Sequence, residues 1–177
     1  TFHIDKKTWF QKLCCCCFND NNNSNDNDDS IITTKAINNL SLTMYDSQIF
    51  CLLGHNGSGK TTTINMLLGL LSADNGSIEI YGQDINDKSI LNTLRSSFGV
   101  CLQENALFDQ LTILEHLQLY NLIKDDPVPE ETLITLLTSC SLIDIQDKQT
   151  HILSTGQKRK LCICLAFLGD NQVIFLD

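Results

Sequence analysis

At 177 residues with 42% apolar side chains, the chain is long enough to bury one substantial core, and two compact domains would be crowded. A net charge of −9 with only 12 Lys and Arg excludes a general nucleic-acid binder, which needs a basic face for the phosphates. No apolar run approaches the roughly 18 to 20 residues of a membrane-spanning helix, and nine cysteines, four of them consecutive, fit a reducing compartment better than a secreted disulfide framework.

In chain order, "TFHIDKKTWFQKLCCCCF" at 1–18 is a short basic and aromatic stretch that runs into Cys14 to Cys17. Residues 19–29 are Asn, Asp and one Ser, with nothing to bury, and predict a disordered linker to about residue 30, the folded part opening near Ile31. The alternating "LSLTMY" at 40–45 and the apolar "IFCLL" at 49–53 read as two strands joined by the turn "DSQ". A glycine-rich loop follows, then a helix from Lys60 to about Leu71 that ends in "SADNG", then the strand "SIEIY" at 77–81. A helix near 88–96 leads to another strand, "FGVCLQ".

From 105 to about 150 apolar residues recur at helical spacing and β-branched runs fade, which predicts a mostly helical insert. Thr112 with Glu115 is a capping-box pattern that opens "ILEHLQLYNLI", and Pro129 suits the first turn of "EETLITLLTSC". Ser154 opens a helix to about Leu168, and "QVIFLD" returns to a strand. Strands joined by helical crossovers predict an α/β fold with a mainly parallel sheet, and no internal repeat is visible. Cys51, Cys101, Cys162 and Cys164 are expected to be small core residues. Opening on Thr1 rather than Met and closing on a core-like strand, the chain reads as a segment of a longer protein.

Two stretches carry chemistry. "GHNGSGKTTT" at 54–63 satisfies Gly, four residues, Gly, Lys, Ser/Thr, between a predicted strand and a predicted helix. Gly54, Gly57 and Gly59 free the backbone to aim successive N–H groups at phosphate oxygens, and the helix that follows adds its positive end. Lys60 would reach the β and γ phosphates, and the Thr61 hydroxyl would ligate magnesium. His55 fills a variable place and reads as a bystander. A carboxylate at the end of a buried strand should complete the metal site, and Asp177 is so placed. The second stretch, "ILSTGQKRKL" at 152–161, holds a capping box of Ser154 and Gln157; by itself it is a plain helix start, yet with Gly156 it is also an anion site. Lys158, Arg159 and Lys160 read as a solvated helix face in preference to a nucleotide contact.

The order of these parts carries a resemblance. A phosphate loop, "CLQENALFDQLTILEHL", "LSTGQKRKL" and then "VIFLD" is similar to the nucleotide-binding domain of ATP-binding-cassette transporters over residues 31–177. "LLGHNGSGKTTTINMLLGL", "GVCLQENALFDQLTILEHLQLY" and "GQKRKLCICLAFLGD" most resemble subfamily A, the lipid-exporter type. The resemblance implies a P-loop NTPase fold with a mainly parallel sheet, an antiparallel β subdomain and the helical insert. It implies two such domains meeting head to tail, with ATP held between the phosphate loop of one and the signature helix of the other. Gly54, Asn56, Gly57, Ser58, Gly59, Lys60, Thr61 and Thr62 would then line the phosphates of ATP. Thr61, Gln103 and Asp177 would hold Mg2+, and Ser154, Gly156 and Gln157 would act in trans. Gln103 would also sense the transmembrane domains of the parent chain, which places this domain on the cytoplasmic side of a membrane, with no nucleic-acid partner.

The chain departs from the family at three places. Thr155 replaces the usual first glycine of the signature, and a β-branched side chain there restricts the backbone and crowds the phosphate. The adenine-stacking aromatic would fall at Asp28 to Ile31, where there is none; Trp9, Phe10 and Phe18 are the aromatics nearest to hand. The family's catalytic glutamate, its switch histidine and a strand between the phosphate-loop strand and the "VIFLD" strand would all follow Asp177. The isolated 177 residues are therefore expected to be unstable and to turn over ATP poorly or not at all. Cys14 to Cys17 suit S-palmitoylation beside a membrane, or inert thiols, more than a metal, since four adjacent thiols cannot easily surround one ion. The rival readings are a soluble cassette ATPase with a second cassette, and a degenerate cassette that binds nucleotide without turnover.

Overall fold

The computed structural model describes residues 2–5, 35–124 and 126–177. The expectations placed on the linker, on Trp9, Phe10 and Phe18, on Cys14 to Cys17 and on Asp28 to Ile31 lie outside the described residues. Instead of one core, the chain forms two compact units, Thr1–Leu91 and Asn92–Asp177. The second unit carries enough apolar residues of its own for this: eight buried side chains, from Ile113 to Leu168, cluster within it.

In the first unit a four-stranded sheet runs in the order β2-β1-β3-β4, with β1 Phe2–Asp5, β2 Leu42–Tyr45, β3 Ile78–Ile80 and β4 Gln83–Asp84. β1 is parallel to both β2 and β3, and β3 is antiparallel to β4. Neither β1 nor β4 is anticipated above. The alternation "FHID" spans only four residues, and the pair at β4 is shorter still. A sheet member at Phe2–Asp5 also precedes the folded start expected near Ile31. The turn after β2 forms as expected, with Ser47 at φ 59°.

Helix α1, Lys60–Leu67, stops before the expected Leu71. Gly69 takes φ +65°, its N–H bonds Met66 O and that of Leu70 bonds Asn65 O, the two bonds that terminate a helix at a left-handed glycine. A Cβ on Gly69 would meet Leu91 Cδ2 at 2.5 Å, so packing as well as backbone requires glycine there. The run 49–53 is not the buried strand expected of it. Leu53 alone holds a bridge position, Ile49 is 92% exposed and Cys51 is exposed, not in the core. β-propensity decides which residues can extend, but a ladder needs a neighbour, and among the described residues only Leu53 of this run has one.

Helix α2, Lys88–Ser96, forms where the sequence predicts it. In the second unit β5, Phe98–Cys101, pairs in parallel with β6, Val173–Leu176, and the Phe98 and Phe175 rings meet edge to face at 5.4 Å. Helices α3, Ile113–Ile123, α4, Glu130–Ser139, and α5, Thr155–Ala166, contribute the fully buried Ile113, Leu117, Leu137 and Leu161. Each such burial is worth about 1.5–3 kcal/mol. Cys101, Cys162 and Ala166 join α5 to β5, and a Cβ on Gly99 would collide with the Ala166 carbonyl oxygen. Burial pushes the thiols of Cys101, Cys162 and Cys164 above their ordinary range, as expected of inert core cysteines.

The segment between β5 and α3 is fixed from beneath by two fully buried polar side chains, His116 and Thr150. The Phe108 N–H donates to His116 Nε2 at 2.9 Å, the Thr150 hydroxyl donates to Phe108 O at 2.7 Å, and His116 Nδ1 lies 2.8 Å from Thr112 O. A carbonyl can only accept, so Nδ1 carries the proton and the imidazole is held in one neutral tautomer.

The predicted capping box at Thr112 is complete: its N–H donates to Glu115 Oε2 at 2.7 Å and its hydroxyl accepts from Glu115 N. The bonds from Thr112, backbone first, hold the Glu115 carboxyl below its usual range. Their contribution is therefore complete above the unfolded glutamate value and is lost as pH falls through the lowered folded one. Glu115→Gln is expected to flatten the acid limb of stability against pH, measured as urea midpoints at successive pH values; an unchanged limb contradicts this.

Candidate nucleotide site

The loop 54–61 curls upon itself. Gly57 and Gly59 sit at φ +83° and +85°, and a Cβ on Gly54 would run into Ser58 Oγ. All three glycines singled out in the sequence are accounted for, two by backbone conformation and one by the closeness of Ser58. A Cβ on Gly59 would also meet Ala36 O at 2.6 Å, so the loop lies directly against the segment that precedes β2. The Ser58 N–H donates to His55 O at 3.2 Å and closes the curl.

Gly59 is the N-cap of α1 and supplies no side-chain cap, and no acidic residue stands in the first turn. The N–H groups of that turn and the positive end of the helix are thus left for an anion. Lys60 Nζ folds back over the loop and donates to Gly54 O and His55 O, each at 2.9 Å, which holds its charge at the loop. Asn56 and Thr61 are exposed, and Ser58 and Thr62 half-buried. His55 is exposed, with Nδ1 2.9 Å from Asn56 O. Beside α1 the same unit has a groove of about 710 Å³, reached by Thr62 and Met66 and bounded by Ile37 and Asp74.

In the second unit the parallel pairing of β5 and β6 brings two predicted residues to one end. Cys101 is in register with Leu176, Gln103 follows β5 and Asp177 follows β6, and the Asp177 N–H donates to Cys101 O at 2.9 Å. This is the carboxyl end of parallel strands, where open α/β sheets take ligands. Asp177 Oδ2 is buried without a hydrogen-bond partner. A buried carboxylate oxygen is costly unless a cation or donor meets it, so the residue fits a divalent ion. Among the described residues no three His, Cys, Asp or Glu side chains form a closed metal cage. Magnesium is commonly held by one or two carboxylates with waters and phosphate oxygens.

Ser154 caps α5 as predicted: its hydroxyl accepts from Gln157 N at 3.2 Å and its N–H donates to Gln157 Oε1 at 2.9 Å. Gly156 is exposed, and a Cβ there would meet nothing within 4 Å. The molecule's own packing does not require that glycine. Thr155 is the first residue of the helix and exposed, so the β-branched side chain is accommodated in helical backbone.

Of the basic run, Lys160 is exposed, but Arg159 is half-buried and donates to two main-chain oxygens, Leu102 O and Asp177 O. This corrects the solvated face expected for it. Charge patterning reports that a helix position is basic, and not that two strand ends lie opposite it.

Residues 37–177 match the family model described as ABC transporter. Among curated proteins the chain is 46% identical over 145 residues to ABC transporter A family member 5 of Dictyostelium discoideum, covering 80% of this chain and 9% of that protein. It is 46% identical over 149 residues to the glucosylceramide transporter ABCA12 of Mus musculus, covering 80% of this chain and 6% of that one. To the human retinal-specific phospholipid-transporting ATPase ABCA4 it is 39% identical over 144 residues, with the same 80% and 6% shares. The chain thus spans less than a tenth of the length of these relatives. A solved ATP-binding subunit of an ABC transporter superposes with a TM-score of 0.60 at 29% identity, over 71% of this chain and 52% of that one.

Proposed function

This chain belongs to the ABC transporter family, as an ATP-binding domain, and on that premise we propose that it binds ATP with magnesium and hydrolyses it to power export of a lipid or another amphipathic molecule across a membrane. The observation that carries the reading is the loop 54–61, with two left-handed glycines, Lys60 drawn over it and an uncapped helix start behind it. In this reading the loop amides and Lys60 hold the phosphates, with Asn56, Ser58 and Thr62 along their path. Thr61, Gln103 and Asp177 hold the cation, which when bound neutralises charge on the β and γ phosphates.

Ser154, Gly156 and Gln157 act on the nucleotide of a second such domain docked head to tail. The open space at Gly156 and the satisfied cap at Ser154 support this role, because a phosphate oxygen can approach the N-terminus of α5 without displacing a side chain. The domain works from the cytoplasmic side against transmembrane domains of the same parent chain. Among the described residues no helix is long and apolar enough to cross a membrane. A lipid cargo is supported by the names of relatives, a glucosylceramide transporter and a phospholipid-transporting ATPase.

The test uses the intact protein reconstituted into vesicles that carry a labelled glycolipid or phospholipid. ATP-dependent movement of the label, with turnover that responds to the lipid supplied, is the expected result. Turnover indifferent to every lipid, with no label moved, contradicts the cargo; absent turnover contradicts the ATPase.

A further inference from the structure

Arg159 stands in the second turn of α5, beyond the cap at Ser154, and its guanidinium reaches two places at once. Nη1 donates to Leu102 O and Nη2 to Asp177 O. Leu102 is one peptide bond from Gln103, and Asp177 is the carboxylate at the end of β6. The last main-chain bond between the two strand ends is that from Asp177 N to Cys101 O. Leu102 O and the main-chain oxygen of Asp177 receive donors from the arginine. The fork geometry of a guanidinium suits two acceptors side by side, whereas an ammonium is a single point on a flexible stem.

The choice of acceptor matters. Arg159 bonds the main chain of Asp177 and not its buried Oδ2, which stays without a partner. A guanidinium paired to that carboxylate oxygen would compete with a cation for it; bonded to the carbonyl, the arginine fixes the residue and leaves the oxygen open. We propose that Arg159 is a positioning residue that locks the Gln103 and Asp177 strand ends together and thereby sets the aim of the Asp177 carboxylate at the cation. The proposal rests on the reading that Asp177 holds a divalent cation beside ATP. It assigns a task to a residue that the phosphate loop and the signature turn leave unused.

Outer residues that orient a metal ligand typically account for roughly 10- to 100-fold in metal affinity. In the intact protein, ATP binding is measured by calorimetry with Mg2+ and again in EDTA, for the wild type, Arg159→Gln and Arg159→Lys. Arg159→Gln is expected to weaken binding by about 10-fold or more in Mg2+ and to leave binding in EDTA unchanged. Arg159→Lys, which keeps charge and stem and so guards against loss of fold, recovers only part of the Mg2+ effect. A loss equal in Mg2+ and EDTA means a merely structural arginine and overturns the proposal, as does unaltered affinity in Mg2+ or full recovery by lysine. A wild type that binds no ATP in either medium instead overturns the reading of the phosphate loop beneath it.

Discussion

Lys60→Ala is expected to abolish ATP turnover by the intact protein, by about 100- to 1,000-fold, the loss that follows removal of one preorganised donor from a site of developing charge. Its ammonium already lies over the loop on the Gly54 and His55 carbonyls, so a γ-phosphate meets the charge with little reorganisation. In the variant the loop keeps its curl, because that depends on Gly54, Gly57, Gly59 and the Ser58 bond. The stability cost is accordingly small, about 1 kcal/mol for two partly exposed hydrogen bonds. His55→Ala, at a variable place of the loop pattern, serves as control and retains turnover. Equal losses in the two variants, followed by ATPase assay with melting as the check on folding, would overturn the assignment.

Gly99→Ala is expected to cost at least about 3 kcal/mol, at the upper end of what overpacking does. β5 passes so close to α5 that the added methyl would strike the Ala166 carbonyl, a backbone atom that cannot rotate away. The same oxygen already accepts from Asn171 Nδ2 at 2.9 Å, and that side chain also bonds Leu168 O at 2.8 Å. Displacing it therefore disturbs the whole end of the helix. For a domain of this size the melting transition should fall by on the order of 6–12 °C. Gly156→Ala makes the informative contrast: its methyl enters open space at a helical position. It should stabilise the domain slightly, by up to about 1 kcal/mol, while lowering turnover through the obstructed trans contact. Melting temperatures that move in the same direction for both variants would refute the packing argument.

Local signals were legible in the sequence wherever the cause was local. The capping boxes at Thr112 and Ser154 involve side chains three residues apart, and both form as read. The helix over 113–123 follows because its cap and its apolar spacing agree. The glycine loop was legible for the same reason, since its conformation is dictated by Gly57 and Gly59 themselves.

What escaped the sequence depends on partners far along the chain. The run 49–53 has the composition of a strand, yet composition cannot supply the neighbour that a ladder needs, and Cys51 is exposed as a result. Phe2–Asp5 joins a sheet with residues more than thirty positions onward, a pairing that no four-residue alternation announces. The early stop of α1 could have been found: Gly69 two residues past Leu67 is a left-handed terminator, a stronger signal than the "SADNG" turn after it. Arg159 could not, because its partners are main-chain oxygens that only the β5–β6 pairing brings together.

The most direct measurement is a calorimetric titration of Mg-ATP into the intact protein and its Lys60→Ala variant. Saturable binding by the wild type, lost or strongly weakened in the variant, is the result that a phosphate-gripping loop at 54–61 predicts. No binding by the wild type, or equal affinity in both proteins, would contradict it.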